Sequence, residues 1–424
     1  MKGEECSYDI SVTDSKHSIS TLTTSPERQE GALAGTKVLD LTRILAGPLC
    51  AQTLGDMGAE VIKVEPPGAG DDTRSWGPPF VGDESAYFLG INRNKRSITL
   101  NMAAKAGQDI LAKLIKQCDV LVENFKAGTL EKWGFTNDWL KENAPRVIRC
   151  SITGYGTDGP KGGLPGYDFI LQAESGLMSI TGETDGDPMK YGVAIVDITT
   201  GLLACNAILA ALNARHRTGR GQHVEVSLYE SGLFMLANVA SNHLVSGKDA
   251  RRFGNGHPNI VPYTAYPVKD GMIAVAVGND GQFAKFAAAL KHAEWASDTR
   301  FHRNQDRVGN RDAIDGLIIE ALKTEDAESL IAKLTEAGIP CGRINSVAQA
   351  LAAPHTTARE MVRTIKHPTA GDVKVLGMPF RFSDTPPSIR RAPPTLGQHN
   401  EQVLGDELGL SAEHIAELRA QKII

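Results

Sequence analysis

Asp197 is the acid whose setting invites chemistry. It follows the apolar run Gly192–Val196 and precedes a helix expected to begin near Thr199, so free N–H groups and the positive end of the helix dipole would hold its carboxylate ionised. One reading is a plain helix cap. The other is a pre-ionised nucleophile of low pKa and limited hydration, able to attack an activated acyl group. Three further segments could handle anions. Pro66–Arg74 (PPGAGDDTR) lies just past a strand end, where backbone N–H groups and Arg74 would meet phosphates or merely form a surface loop. Asn92–Ser97 (NRNKRS) gathers Arg93, Lys95 and Arg96 into either a solvated turn or an anion-recognising one. Gly254-Asn-Gly256-His-Pro-Asn259 could swing as a lid, with glycine allowing close backbone approach.

These residues need a frame. Val38–Thr42 is a short β-branched and aliphatic run, Ala46 to Met57 is helical up to Gly58, and Val61–Val64 is the next strand, which makes a βαβ unit of the length a parallel sheet needs. The alternation continues with Ser97–Leu100 extended, Ala103–Gln117 helical, and Asp119–Glu123 and Val147–Ile152 extended. The fold class expected is α/β, an open parallel sheet with helices on both faces. Ligands then sit beyond the strands' carboxyl ends, at Arg43–Gly47, Glu65–Gly70 and Glu123–Gly128. The helix after Asp197 would bury Leu202, Cys205, Leu209 and Leu212, and His223–Leu228 would follow as a strand. From Phe253 to Arg343 an alternating strand (Met272–Val277) and amphipathic helices (Phe283–Leu290, Ala327–Ala337) read as a smaller α+β domain. A Pro-rich stretch, Pro379–Pro394, leads to a final helix, Ser411–Gln421.

The 424 residues suffice for two or three domains with buried cores. With 45 Lys plus Arg against 50 Asp plus Glu, the net charge of -5 creates no field that gathers nucleic acid or an anionic membrane. An anionic ligand must be held locally, and the 43 glycines offer backbone for that. The six cysteines are scattered, suiting neither a zinc site nor a disulfide framework and pointing to a reducing compartment. Apolar residues never run to the length of a membrane span. The polar N-terminus carries Glu4, Glu5, Asp9 and Asp14 and reads as a disordered tail, not a basic presequence. A soluble intracellular protein is expected, cytoplasmic in the first place and of the mitochondrial matrix in the second. No Gly-x-Gly-x-x-Gly follows the first strand, and P-loop, His-Glu-x-x-His and Gly-x-Ser-x-Gly patterns are absent, which disfavours dinucleotide, nucleotide, zinc and serine-hydrolase chemistry.

A resemblance adds what local physics does not supply. Val38-Leu-Asp-Leu-Thr-Arg-Ile-Leu-Ala-Gly-Pro48, Gly58–Glu65, Asn94-Lys-Arg-Ser97, Val122-Glu-Asn-Phe125, Ser151–Gly156, Gly166-Tyr-Asp168 and Arg217–Gln222 together resemble the class III CoA-transferase (CaiB/BaiF) family, in order, from about residue 35 to 400. The resemblance implies a nucleophilic aspartate at Asp197 and a Rossmann-like large domain made of both chain ends. It also implies a small domain between them and an interlocked homodimer. The boundaries would be a tail at 1–34, large domain at 35–228 and 345–424, linker at 229–252, and small domain at 253–344. Gly254 and Gly256 resemble the mobile glycine loop over the acyl intermediate. CoA is expected near Ile44, Leu45, Leu100, Asn124, Phe125, Lys132 and Tyr167, with Pro66 and Lys132 standing where formyl-CoA transferase carries Arg.

Within the family the fork is transferase against racemase. Racemases resembling this chain have His in place of Tyr167, and an unperturbed phenol, with a pKa near ~10, is a poor base at neutral pH. Acyl-CoA transfer is therefore favoured. The stretches His257–Tyr263 and Gly278–Phe283 most resemble the succinyl-CoA:dicarboxylate branch, with glutarate as the leading acceptor and itaconate, malate, mesaconate or oxalate as others. A second substrate carboxylate would need a cation, and Arg93 is the candidate, together with Tyr167 as a substrate hydrogen-bond partner. The resemblance implies no metal and no permanently bound cofactor, a CoA thioester serving as co-substrate.

Overall fold

The computed structural model describes residues 30–424, so most of the expected tail lies outside the described residues. Six strands, β1 (Lys37–Asp40), β2 (Glu60–Glu65), β3 (Lys95–Thr99), β4 (Val120–Glu123), β5 (Ile148–Thr153) and β6 (His223–Ser227), form one sheet. Its order is β3-β2-β1-β4-β5-β6 and every neighbouring pair is parallel. The direction of strand addition reverses between β1 and β4. In an open α/β sheet that switch point leaves a crevice beyond the two carboxyl ends.

Helices α1 (Ala46–Asp56), α2 (Lys105–Gln117), α3 (Asp168–Glu174) and α4 (Ile195–Thr218) belong to the crossovers. Successive side chains of a strand face opposite ways, and the two cores follow that rule. Val38, Val61, Val120 and Val122 pack with α1 and α4 residues such as Leu54, Ala204 and Ile208. Leu39, Ile62 and Leu121 pack on the other face with Ile110, Leu111 and Leu114 of α2. The C-terminal residues Val403, Leu404, Ile415 and Leu418 enter this second core. There the Asn101 N–H donates to the Ile423 carbonyl at 2.7 Å, and Asn400 Oδ1 accepts from the Thr99 N–H at 2.9 Å.

The buried stripe of α4 contains Cys205 and Leu212 as expected, but Leu209 is only partly buried and Leu202 is 45% exposed. Val196, Thr200, Gly201, Ala204, Ile208 and Ala211 face inward as well. The cause is close approach of α1: a Cβ on Gly201 would stand 2.5 Å from the Ala46 carbonyl oxygen, so small residues take the contact. By length and composition α4 could cross a membrane, but it packs on α1 and the sheet and carries Asp197 in its first turn, as a core helix does.

Helices α5 (Leu228–Met235) and α6 (Ala237–Ser246) lead to a second unit. Strands β7 (Tyr263–Val268), β8 (Gly271–Ala276) and β9 (Cys341–Arg343) form an antiparallel sheet in the order β9-β8-β7. Residues such as Ile273, Phe286, Ile318 and Leu330 give it a core of its own. All five described cysteines are free, and Cys50, Cys150 and Cys205 are buried.

Candidate active site

Two clefts open at the switch point and share Arg43 and Phe125. The outer cleft, about 780 Å³, is bounded by Pro66, Pro67, Leu100, Met102, Trp133 and the C-terminal Lys422. Phe125 and Trp133 meet edge to face at 5.3 Å, giving an aromatic wall beside two flexible cations, Arg43 and Lys422. That volume and composition suit a nucleotide-sized ligand. The inner cleft, about 240 Å³, is lined by Ile44, Leu45, Asn124, Tyr167 and Asp197 among others. Helix α1 opens on this cleft without a side-chain cap.

The start of α4 corrects the expected role of Asp197 as a cap. The helix begins at Ile195, so Asp197 lies inside the first turn, and its side chain caps nothing. Asp168, at the start of α3, supplies the cap: its Oδ1 accepts the Val196 N–H at 2.8 Å and the Asp197 N–H at 3.2 Å. Gln172 donates to the other oxygen at 2.6 Å. Asp197 is thus left with burial and a neighbouring anion. Burial first, and the Asp168 charge second, push its pKa up to about 7, where the sequence suggested a lowered one. A carboxylate of that basicity is half ionised at neutral pH and more nucleophilic than an ordinary one. Tyr87 shares this field: burial, followed by the charges of Asp197, Asp168 and Asp71, raises its phenol to about 12, so it stays a hydrogen-bond donor.

Ile44, Leu45, Asn124, Tyr167 and Asp197 come together in the inner cleft, Leu100 and Pro66 in the outer one, and Phe125 in both. Tyr167 is 66% exposed at the lip. Lys132 is exposed on a short helix and lines neither cleft. Gly254 and Gly256 line a separate groove with Phe253 and Asn242.

Arg93 is not brought to the cleft. It is 3% exposed, and its Nε and Nη2 donate to the two oxygens of Asp56 at 3.0 and 2.6 Å. Lys95 pairs with Asp40 at 2.9 Å and Arg96 with Glu407. The Asn92–Ser97 turn is therefore neither solvated nor anion-recognising, because each cation already has a protein carboxylate. Arg74 is likewise occupied, by a two-point bond to Glu65 at 2.8 and 2.7 Å and by the face of Phe88.

Sequence reasoning put Arg43, Glu65 and Asp71 within strand-end segments but gave none of them an individual role, and it gave none to the carboxylate of Asp168 or to Lys63. Lys63, Glu65 and Asp71 are buried beneath the cleft loop. Charged residues inside a strand otherwise made of Val and Ile were the available signal, since parallel strands buried on both faces read as apolar runs.

Comparison with known proteins places the chain in a family. The model of CoA-transferase family III matches residues 33–400. Human succinyl-CoA:glutarate CoA-transferase is 43% identical over 392 residues, 92% of this chain and 90% of that protein. The succinate–glutarate CoA-transferase of Agrobacterium fabrum is 42% identical, covering 91% of this chain and 98% of that one. A crystal structure of a CaiB/BaiF family protein from Brucella suis superposes with a TM-score of 0.78 at 44% identity, over 89% of this chain and all of that one. A family model matched over most of its length, and relatives 43% and 42% identical along nearly the whole fold, settle its membership: the chain belongs to CoA-transferase family III.

Proposed function

We propose that this enzyme moves CoA from succinyl-CoA to a dicarboxylic acid, with glutarate as the leading acceptor, through acyl intermediates on Asp197. The observation that carries the reading is the position of Asp197 at the inner end of two joined clefts, the outer one wide enough for the nucleotide part of CoA. The curated relatives named for succinyl-CoA and glutarate support the choice of substrates.

The Asp197 carboxylate attacks the succinyl thioester carbonyl and expels CoA thiolate, leaving a mixed anhydride. The thiolate then attacks the aspartyl carbonyl, which releases succinate and makes an aspartyl-CoA thioester. The acceptor carboxylate attacks that thioester, expels the thiolate again and forms a second anhydride. Attack by the thiolate on the acceptor's acyl carbon yields glutaryl-CoA and restores Asp197. No net proton is consumed, and each step needs an ionised carboxylate or thiolate in a site shielded from water.

In this reading the large domain comprises residues 35–228 and 345–424, with the small domain, 253–344, between them. Phe234, Leu244 and Val245 on α5 and α6 are 72%, 82% and 89% exposed, an apolar surface that a second subunit would cover. An interlocked homodimer accounts for it. Gly254 and Gly256 then act by closing their loop over the anhydride, where their N–H groups would meet the oxyanion. CoA enters as co-substrate, and the chemistry asks for no metal.

The test is to incubate the protein with succinyl-CoA and a panel of glutarate, itaconate, malate, mesaconate and oxalate, and to follow which new acyl-CoA appears. Glutaryl-CoA formed by the native chain and abolished in Asp197→Ala is the expected result. Full transfer by Asp197→Ala or Asp197→Asn would refute the mechanism.

A further inference from the structure

The loop joining β1 to α1 is held more tightly than a loop needs. From the Thr42 N–H to the Ile44 N–H, every backbone polar group is bonded to a side chain. Asp40 accepts from the Thr42 N–H at 3.0 Å, and Lys63 Nζ donates to the Thr42 carbonyl at 2.8 Å. Asn124 takes both groups of Arg43, at 3.0 and 2.8 Å. Asp71 accepts from the Ile44 N–H at 3.3 Å.

At the end of this clamp Ile44 has a φ of 73°, a left-handed conformation that a β-branched residue rarely adopts and that persists only where the surroundings impose it. The imposing group is ionic. Lys63 and Asp71 stand 2.8 Å apart with side chains wholly out of solvent. A well-packed apolar pair would hold a core at least as well as two buried charges, so core stability alone gives no reason for the ions. Beyond each other, Lys63 reaches the Thr42 carbonyl, while Asp71 Oδ1 accepts the Thr73 N–H and hydroxyl at 3.0 and 2.8 Å and the Ile44 N–H at 3.3 Å; Ile44 lines the same cleft as Asp197.

We propose that the buried Lys63–Asp71 pair is a positioning device for CoA transfer, holding Ile44 in the left-handed conformation and so fixing part of the wall of the cleft that Asp197 also lines. Lys63 draws on the Thr42 carbonyl while Asp71 draws on the Ile44 N–H, and Asn124 fixes both polar groups of Arg43 between them. The inference rests on the CoA-transfer reading for its consequence in catalysis, but the strain itself does not.

The experiment uses the full chain in four forms beside the native one: Ile44→Gly, Ile44→Ala, Lys63→Met/Asp71→Leu, and the triple variant Lys63→Met/Asp71→Leu/Ile44→Gly. Melting temperature and steady-state turnover of succinyl-CoA with glutarate are measured for each. With the pair intact, Ile44→Gly should melt above the native protein while Ile44→Ala does not, since only glycine relieves the strain. With the pair removed, the gain from glycine should vanish. In turnover, Ile44→Gly and the Lys63→Met/Asp71→Leu double should each lower kcat/KM by about 10-fold, and the triple variant by about the same factor and not by their product, because both changes release one loop. Should the double variant fail to fold, the Gly and Ala variants decide alone, and equal melting temperatures overturn the proposal. Additive losses of activity, or a glycine gain that survives removal of the pair, also overturn it. A native chain inactive with every acid but showing the thermal coupling would refute the proposed reaction and leave the clamp standing.

Discussion

Asp168 accepts the backbone N–H of Asp197 at 3.2 Å while its charge raises the pKa of the Asp197 carboxylate. The same side chain thus takes the helix end that would have stabilised the nucleophile's charge and adds a like charge beside it. Burial is the larger cause of the raised basicity, and Asp168 adds to it while also fixing the start of the helix that carries Asp197.

In the proposed mechanism the reactive form of Asp197 is the ionised one, so activity should rise with pH through about 7, and kcat/KM for succinyl-CoA between roughly pH 5.5 and 8.5 reads it directly. Asp168→Asn keeps an oxygen for the two N–H groups and removes the charge. Its acid limb should move to lower pH, with less than about a 10-fold change at the plateau. An unmoved limb would show that the Asp168 charge does not act on the titrating group.

The raised pKa has a cost in stability whose sign is fixed. Asp197 titrates near 7 when folded and near its ordinary 3.8 when unfolded. The folded form therefore holds the proton more tightly, and the benefit is complete below the unfolded value and lost as pH rises toward 7. Asp197→Asn, which never ionises, should melt roughly 2–5 °C above the native protein at neutral pH. The gap should open between those two pH values and stay constant above the higher one. Equal melting curves at acid and neutral pH would contradict the burial of this carboxylate.

Arg93 gives a prediction opposite to the one its sequence suggested. The Asp56 pair is buried, and burial raises the Asp56 pKa despite the Arg93 bonds that lower it. Arg93→Ala strands that carboxylate and should cost about 3 kcal/mol of stability. Relative rates with glutarate and with a monocarboxylate should fall together. A loss confined to glutarate would return Arg93 to the substrate.

How much of this was legible follows from how local each signal is. The alternation Val38/Leu39 and Val61/Ile62 assigns faces within a strand, so the parallel α/β core could be read directly, and the carboxyl-end loops were located before any coordinates. The position of Asp197 was legible, but its ionisation was not. The group that takes its helix N–H bonds lies 29 residues earlier in the chain. The same holds for the cations of Asn92–Ser97. A run of charge reads as a solvated turn, yet its carboxylate partners lie 37, 55 and 311 residues away. Only the folded sheet brings them near, and with them goes the free cation that the substrate seemed to require.

Arg43 is the cation that lines both clefts. Its side chain is 49% exposed, touching the equally exposed Asp72 at 3.2 Å. A surface pair of that kind contributes little by itself, so Arg43 can exchange Asp72 for an anionic ligand at small cost. The backbone of Arg43 is fixed by Asn124 at both polar groups, which leaves only the side chain to move. Arg43→Ala should therefore raise KM for succinyl-CoA about 10-fold with kcat changed far less, since a phosphate contact is kept from ground state to transition state. The native enzyme's KM should rise with salt and the variant's much less. A fall in kcat with KM unchanged would instead place Arg43 on the reacting carbonyl, and equal salt dependence would remove it from the anion site.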